Sequence, residues 1–177
     1  MAIITKTFST PVGEMIAGAT DAGICLLDFK WRKMMPAIQR RVTSGLREAF
    51  EEGQHSLIDQ VQQELQEYFD GKRKAFSVPL QTAGSDFQKS VWDSLLRIPF
   101  GRTVTYLHQA KVYGDEKAIR AVATANGMNC IAIIIPCHRV IGADGSLTGY
   151  AGGLTAKRWL LEHERKHAGL ELQTSLF

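Results

Sequence analysis

The sequence predicts a mixed α/β protein of the α+β type, with a small antiparallel sheet and helices followed by a mostly helical second half. Short β-prone runs separated by turn residues open the chain, and helical spacing of apolar residues dominates the second half. With 177 residues, of which 45% are hydrophobic, the chain can build one large core or two small ones. We expect two domains, 1–84 and 85–177.

Three strands are expected at the start of the chain. The runs Ile3–Phe8, Met15–Ala19 and Ile24–Phe29 are short and β-prone. The turn signals Pro11-Val12-Gly13 and Asp21-Ala22-Gly23 separate them. This order of runs and turns predicts an antiparallel meander.

Two helices are expected after the strands. Helical periodicity extends from Pro36 to Phe50 and again from Leu57 to Phe69. Residues 76–84 then form a linker. In the second helix, apolar residues spaced four apart predict the buried face, which is Leu57, Val61, Leu65 and Phe69.

The second half begins with a helix from Ser85 to about Arg97, which is expected to bury Val91, Trp92 and Leu95. The helix should therefore pack its apolar side on the core of the second domain.

Two shorter helical segments follow, Val104–Lys111 and Glu116–Asn126, with Tyr113-Gly114-Asp115 between them. Two helices joined by a tight glycine-containing turn outline a helix-turn-helix, although ordinary helical hairpins share this pattern. Ile141 to Thr148 contains an Asp-Gly turn between apolar residues and predicts a hairpin, or wing. The second domain is therefore expected to be winged-helix-like.

The helix of residues 116–126 has an unusual outer face. Ala118, Val122 and Ala125 lie on one side and should face the core. Small residues around a single arginine allow this face to approach another surface closely. The alternative is that the face is simply exposed to solvent. The outer side carries Arg120, Ala123, Thr124 and Gly127.

A cysteine follows an apolar run directly. Ile133-Ile134-Ile135, expected to be a strand or a core segment, ends at Pro136, which has a fixed φ and no backbone donor. Cys137 is then held at the edge of the core, either as a reactive thiol or, equally, as a small buried hydrophobe. Neighbours in extended backbone point to opposite sides, so His138 should act on Cys137 through a water molecule.

Composition excludes several classes of protein. No apolar run reaches the length of a membrane span, and the first residues lack the pattern of a signal peptide. Three cysteines, Cys25, Cys130 and Cys137, show no paired spacing, so we expect no metal, no disulfide framework and a reducing cytoplasm. The net charge of +3 arises in the second half of the chain, and this excess mildly favours binding to a polyanion.

Several short motifs between Ser85 and Glu164 stand in a fixed order. Pro136-Cys137-His138-Arg139-Val140 is followed by Gly149-Tyr150-Ala151-Gly152-Gly153-Leu154, Lys157 and Trp159-Leu160-Leu161-Glu162-His163-Glu164. Upstream stand Ile98-Pro99-Phe100-Gly101, Tyr106, Arg120-Ala121-Val122, Ala125-Asn126 and Asn129. The whole set resembles the O6-alkylguanine-DNA alkyltransferase family, also called the methylated-DNA–protein-cysteine methyltransferases.

The resemblance implies DNA repair by irreversible transfer of an alkyl group from O6-alkylguanine, and also from O4-alkylthymine, to Cys137 in a single turnover. In this scheme His138 is the base that works through water, and Glu164 orients it. Asn129 ties the recognition helix to the active-site segment. Tyr106 donates its hydroxyl toward a ring nitrogen of the guanine. No cofactor is expected.

The resemblance also implies the partner, which is double-stranded DNA that carries the lesion, bound through its minor groove by a monomeric protein. Arg120 fills the stack after the base is flipped out, and residues 149–153 form a mobile loop over the pocket. Contacts with DNA or with the flipped base are assigned to Arg120, Ala121, Ala123, Thr124, Gly127, Val140, Tyr150, Ala151, Gly152 and Lys157.

The chain departs from the family pattern at three positions. Cys130 stands where many members have proline, and Val112 and Asp115 alter the expected turn. Cys25 has no matching Cys/His set, so the zinc site of some members is not expected.

Two rival functions stay open. One is a cysteine hydrolase, which needs a histidine bonded directly to the thiol. The other is a non-catalytic binder of alkylated DNA, which is recognised by loss of the cysteine.

Overall fold

The computed structural model describes residues 1–169, and residues 170–177 of the expected second domain lie outside the described part. Here the strands are β1 (Ile3–Thr10), β2 (Gly13–Thr20), β3 (Gly23–Phe29), β4 (Phe50–Glu52), β5 (Val104–Thr105) and β6 (Val140–Ile141). The helices are α1 (Met35–Leu46), α2 (Ser56–Phe69), α3 (Asp86–Leu95), α4 (Tyr106–Tyr113), α5 (Ile119–Gly127) and α6 (Leu154–Ala168).

The chain folds into two compact units. The first comprises residues 1–85 together with 130–132, and the second comprises residues 86–129 and 133–169 of the described part. The short segment joins the first unit because the Leu27 amide donates to the Cys130 carbonyl (2.8 Å) and the Ala132 amide donates to the Leu27 carbonyl (2.7 Å). The expected domain 85–177 is therefore interrupted at residues 130–132.

The sheet of the first unit has the strand order β3-β2-β1-β4. The first three strands are antiparallel neighbours, which confirms the expected meander. The three-residue strand β4 adds to β1 in parallel, and the sequence did not indicate it. Because β3 is buried along its whole length, this sheet forms the centre of the unit's core.

Helix α1 is shorter than expected. Arg47 adopts a left-handed backbone, with φ of 57°, and its amide donates to the Thr43 carbonyl, which ends the helix. The prediction of a helix as far as Phe50 is wrong, because that residue lies in β4.

Helix α2 begins and ends within a residue of its expected bounds. Its apolar buried face is Ile58, Val61, Leu65 and Tyr68 instead of the set with a constant spacing of four. Four residues advance about 40° beyond one full turn, so a constant spacing of four drifts off the face.

The second unit has its core between α3 and α5. Val91, Trp92 and Leu95 are buried as expected, and the Trp92 indole N–H donates to the Ala125 carbonyl at 2.9 Å. Val91, Val122 and Ala125 form one apolar cluster, against which Phe87 and Ala118 pack. The expected inner face of α5 is therefore confirmed.

The ends of the two motif helices differ from expectation. Residues 104 and 105 form β5, and α4 begins at Tyr106 because the Thr105 hydroxyl accepts from the His108 amide at 3.0 Å. Gly114, with φ of 113°, closes α4, a conformation that favours glycine. One turn of 3₁₀ helix at Glu116–Ala118 leads into α5.

The expected hairpin at residues 141–148 is wrong. Strand β6 pairs in parallel with β5, and within the described residues no second strand returns beside it. The Asp-Gly turn itself is present, since the Gly142 amide donates to the Ser146 carbonyl at 2.9 Å.

None of the helices in residues 1–169 is long and apolar enough to cross a membrane.

Candidate active site

The three isoleucines before the cysteine are buried, but they do not form a strand. Ile133 and Ile134 lie in a turn and Ile135 lies in a bend, and Ile133 has a left-handed φ of 72°. This conformation costs a β-branched residue roughly 1–3 kcal/mol and persists only where the surroundings enforce it. The core-segment alternative is confirmed, and the strand alternative is wrong.

Residues Cys137–Arg139 form one turn of 3₁₀ helix after Pro136. The expectation that Cys137 and His138 point to opposite sides assumed extended backbone, and that assumption is wrong. The turn places both residues at the same edge of the core, with His138 fully buried and Cys137 partly accessible.

Asn129 holds the segment that carries the thiol. Its side-chain amide donates to the Ile135 carbonyl at 2.8 Å and to the Cys137 sulfur at 3.3 Å. Asn129 itself follows Met128, the residue that caps the end of α5. A donor fixed on sulfur favours the thiolate over the thiol, because it stabilises the charged form.

Glu164 on α6 lies at the centre of a buried cluster. Its carboxylate accepts from His138 Nε2 at 2.8 Å, and from Arg139 Nε at 2.8 Å and Nη2 at 3.0 Å. The Gly101 amide donates to it at 3.4 Å, and Arg139 Nη1 donates to the Ile98 carbonyl at 2.6 Å. Four N–H groups therefore donate to the carboxylate, which has room for about four.

The cluster fixes the protonation of Glu164 and His138. Burial raises the pKa of Glu164, but His138 and Arg139 outweigh burial, so its pKa lies well below the ordinary value. Burial lowers the pKa of His138, although Glu164 opposes the shift, so the imidazole is neutral at pH 7. A carboxylate only accepts, so Nε2 carries the hydrogen and Nδ1 keeps its lone pair.

The lone pair on His138 Nδ1 is available for a proton. This atom is buried and accepts no hydrogen bond from the described residues, while Nε2 is engaged by Glu164. Neither ring nitrogen is therefore bonded directly to the Cys137 sulfur. A neutral imidazole with an unengaged Nδ1 lone pair can accept a proton.

Lys157 is fully buried. Its ammonium group donates to the carbonyls of Val140 (2.6 Å), Thr148 (3.0 Å) and Gly149 (3.4 Å). Burial lowers the pKa of Lys157 to about 8, and the Cys137 sulfur opposes this shift, so the group stays charged at pH 7. In the structure Lys157 ties the start of the glycine-rich loop to the Val140 carbonyl, and its expected contact with DNA or the flipped base stays a prediction.

Tyr106 and Tyr150 stand at the same loop. The Tyr106 hydroxyl donates to the Thr148 carbonyl at 3.1 Å, so here it holds the loop. The Tyr150 ring lies edge-on to the His138 ring, with centroids 6.4 Å apart. Ala151 and Gly152 form a half-buried turn beside it.

The outer face of α5 is open. Arg120, Ala121, Thr124 and Gly127 are exposed, and Ala123 is half-buried. The chain therefore presents small side chains around one arginine on this surface, as the spacing indicated.

Two features were not singled out from the sequence. Arg139 is part of the Pro136–Val140 motif, but no role was predicted for it, although it donates two hydrogen bonds to Glu164. The sequence gives no sign that an arginine is buried unless its partner is known. Gln109 and Asn126 exchange two hydrogen bonds between α4 and α5. Polar residues at core positions of both helices were the available signal.

Cys137 differs chemically from the other two cysteines. Burial raises the pKa of Cys25 to about 12 and also raises the pKa of Cys130, so both remain thiols at neutral pH. Cys137 is partly accessible and has a donor on its sulfur and a neutral imidazole beside it in the chain. Within residues 1–169, no three His, Cys, Asp or Glu side chains converge as a metal site requires.

Comparison with known proteins gives consistent matches along the chain. Residues 86–166 match the DNA-binding domain of 6-O-methylguanine DNA methyltransferase, and residues 3–82 match its ribonuclease-like domain. The methylated-DNA–protein-cysteine methyltransferase of Methanosarcina acetivorans is 43% identical over 158 residues, which cover 89% of this chain and 95% of that protein. The constitutive methylated-DNA–protein-cysteine methyltransferase of Bacillus subtilis is 40% identical over 166 residues, covering 90% and 93%.

A solved structure of Mycobacterium tuberculosis OGT in complex with DNA superimposes with a TM-score of 0.82 at 36% identity, covering 93% of this chain and 94% of that one. The two matched domains together account for most of the sequence. On these matches, the chain belongs to the 6-O-methylguanine DNA methyltransferase family.

Proposed function

We propose that this chain repairs DNA by moving the alkyl group of O6-alkylguanine onto the sulfur of Cys137, with O4-alkylthymine as a second substrate. The observation that carries the proposal is the buried Asn129–Cys137 and His138–Glu164 arrangement, in which a donor contacts the sulfur and a neutral imidazole follows it. Membership of a methyltransferase family that binds DNA supports the same reaction.

The first step is removal of the thiol proton. A water molecule passes the proton from Cys137 to His138 Nδ1, and the imidazolium that forms is stabilised by the Glu164 carboxylate at Nε2. Arg139 keeps that carboxylate ionised and fixed. Asn129 stabilises the thiolate through its hydrogen bond to sulfur.

The second step is the transfer itself. The thiolate attacks the alkyl carbon in line with the carbon–oxygen bond; a carbon–sulfur bond forms, and the bonding pair of the broken bond stays on O6. The Tyr106 hydroxyl, which contacts the Thr148 carbonyl in the structure, then turns to the guanine and gives its proton to the ring nitrogen, so the base leaves in its normal neutral form. The proton that His138 took from the thiol returns to the tyrosine through water, so one proton moves from thiol to guanine overall. The product is a thioether, and no group in the site can remove it, so each molecule reacts once.

The alkyl carbon is reached only after the nucleotide leaves the stack, because a stacked duplex blocks in-line attack. The outer face of α5 is suited to the minor groove, since its small residues allow close approach. Arg120 projects from this face and takes the place of the flipped base. Ala121, Ala123, Thr124 and Gly127 then contact the sugar–phosphate backbone.

The pocket for the base is assembled from the loop after β6. The carbonyls of Cys137 and Val140 accept from the guanine amine, the Ala151 amide donates to its oxygen, and Tyr150 forms a wall, with Gly152 allowing close approach. Both carbonyls already accept one bond here, from the Val140 amide and from Lys157, and each retains a second lone pair.

The alternatives explain the site less well. A cysteine hydrolase needs a histidine bonded to its thiol, and neither nitrogen of His138 bonds the sulfur. A non-catalytic lesion binder has no use for a nucleophile, and Cys137 is present. We expect the protein to act as a monomer on double-stranded DNA in a reducing cytoplasm, where its thiols stay reduced.

The test is a stoichiometry experiment. The protein is mixed with an excess of a duplex that carries one O6-methylguanine, and restored guanine is counted over time. We expect repair to stop at one guanine for each protein molecule and to be absent in C137A, while C130A reacts like the wild type. Continued turnover beyond one equivalent would contradict the proposal.

A further inference from the structure

A pair of buried amides joins the two helices of the helix-turn-helix motif. Gln109 of α4 and Asn126 of α5 are 3% and 6% exposed. Gln109 Nε2 donates to Asn126 Oδ1 at 2.7 Å, and Asn126 Nδ2 donates to Gln109 Oε1 at 2.6 Å. Each amide therefore satisfies the other, in a closed arrangement that fixes the orientation of both.

A continuous series of hydrogen bonds leads from this pair to the thiol. The Asn129 amide donates to the Asn126 carbonyl at 3.2 Å, so the last turn of α5 positions Asn129. The Asn129 side chain then holds the Ile135 carbonyl and the Cys137 sulfur. Gln109, Asn126 and Asn129 are all buried, and each step is a direct contact.

Apolar packing alone would leave the position of α5 loosely defined. Its other buried residues are Val122 and Ala125, which are small and present a smooth face. The Trp92 indole, which donates to the Ala125 carbonyl, orients α5 against α3. The two directional hydrogen bonds of the amide pair set the register of α5 against α4. The net stability from a satisfied amide pair is modest, so its main effect is on geometry.

We infer that the Gln109–Asn126 pair is a positioning device for the alkyl-transfer reaction: it sets the last turn of α5 relative to α4, so that Asn129 holds the Cys137 sulfur in its reactive position. The inference rests on the proposed function of Cys137. It adds two residues to those that determine the rate, neither of which contacts DNA or the reacting atoms.

The experiment replaces both amides by apolar groups of similar shape, in Q109M/N126L. Replacing both partners of a buried hydrogen bond is close to neutral for stability, so the melting temperature should stay near that of the wild type. Two rates are then measured: single-turnover transfer from an O6-methylguanine duplex at saturating DNA, and alkylation of Cys137 by iodoacetamide without DNA, mapped by peptide mass.

We expect both rates to fall about tenfold in Q109M/N126L, a change of about 1.4 kcal/mol in activation free energy, while the DNA concentration for half saturation stays the same. N129A should lower both rates in the same way. The control is S94A, which removes another buried hydrogen bond of this unit, from the Ser94 hydroxyl to the Val91 carbonyl, and should leave both rates unchanged.

A folded Q109M/N126L protein with wild-type rates would overturn the inference and leave the pair a packing feature. Should that variant not fold, N126A is the fallback. It leaves the buried Gln109 amide unpaired and so lowers the melting temperature, and both rates are then measured well below that temperature. If the wild-type protein takes no alkyl group from DNA, the proposed function fails, but the iodoacetamide rates still decide whether the pair positions the thiol.

Discussion

Replacing Glu164 by glutamine tests the buried cluster behind the thiol. The carboxylate is 1% exposed and accepts two bonds from Arg139 and one from His138. In E164Q the Arg139 guanidinium keeps its charge but loses its counter-charge in the interior. Removing one partner of a buried ion pair costs about 3–5 kcal/mol, a large share of the roughly 5–15 kcal/mol that stabilises a protein.

This loss converts to a drop of roughly 6–20 °C in melting temperature, at about 2–4 °C for each kcal/mol in a chain of this size. The effect on chemistry is separate. Without the carboxylate, His138 loses the partner that fixes its tautomer and stabilises its charged form. General-base catalysis contributes about 10²–10⁴ to a rate, so alkyl transfer should slow by at least about 10².

The assay combines thermal unfolding with single-turnover transfer from an O6-methylguanine duplex, measured well below the melting temperature. E162Q is the matched control, because Glu162 is an exposed residue on the same helix and undergoes the same chemical change. It should change stability by less than about 0.5 kcal/mol and leave the rate unaltered. If E164Q melts and reacts like E162Q, the reasoning about the cluster is wrong.

Three further outcomes are expected. Burial lowers the pKa of His138, so the unfolded chain binds a proton there at a higher pH than the folded chain does, and the free energy of unfolding falls as pH drops through about 6.5. When unfolding is measured between pH 8 and 5, H138N should lose less stability than the wild type. An equal loss of stability would contradict a neutral imidazole. K157M should lose about 1.5–3 kcal/mol of stability and slow alkyl transfer, because the carbonyls bonded to Lys157 lose a charged donor. The control K166M, on the exposed side of α6, should change neither stability nor rate. Equal behaviour of the two variants would show that Lys157 does not hold the loop. R120A should keep wild-type stability but lower the rate of transfer from duplex DNA about tenfold or more, because base flipping costs a few kcal/mol that the inserted side chain offsets. The control R158A, also at an exposed arginine, should react like the wild type. A wild-type rate in R120A would show that Arg120 does not act at the DNA interface.

The parts of the fold that the sequence predicted are those governed by local pattern. The meander follows from short runs and turn signals, and the inner face of α5 follows from the spacing of Val122 and Ala125. Strand β4 was missed because three residues carry no periodicity, and its pairing with β1 is a tertiary event.

The site was only partly accessible to the same reasoning. Cys137, His138 and Glu164 could be named from motif and resemblance, and the structure brings the latter two within 2.8 Å of each other. The turn at Cys137 could not be predicted, because the left-handed Ile133 that precedes it is enforced by its surroundings rather than by its own preference.

The surroundings of Lys157 were not predictable from the sequence. The resemblance assigns it to DNA or the flipped base, and nothing in the sequence reveals that three carbonyls surround its ammonium group. Partners that are distant in sequence decide whether a charged side chain is buried, and local pattern does not contain them.

Alkyl transfer to Cys137 is tested by the intact mass of the protein after reaction with a duplex that carries one O6-methylguanine, followed by peptide mapping. We expect each molecule to gain one methyl group in place of one hydrogen, located on Cys137 and absent in C137A. A methyl group on Cys25 or Cys130, or a repaired duplex with an unmodified protein, would contradict it.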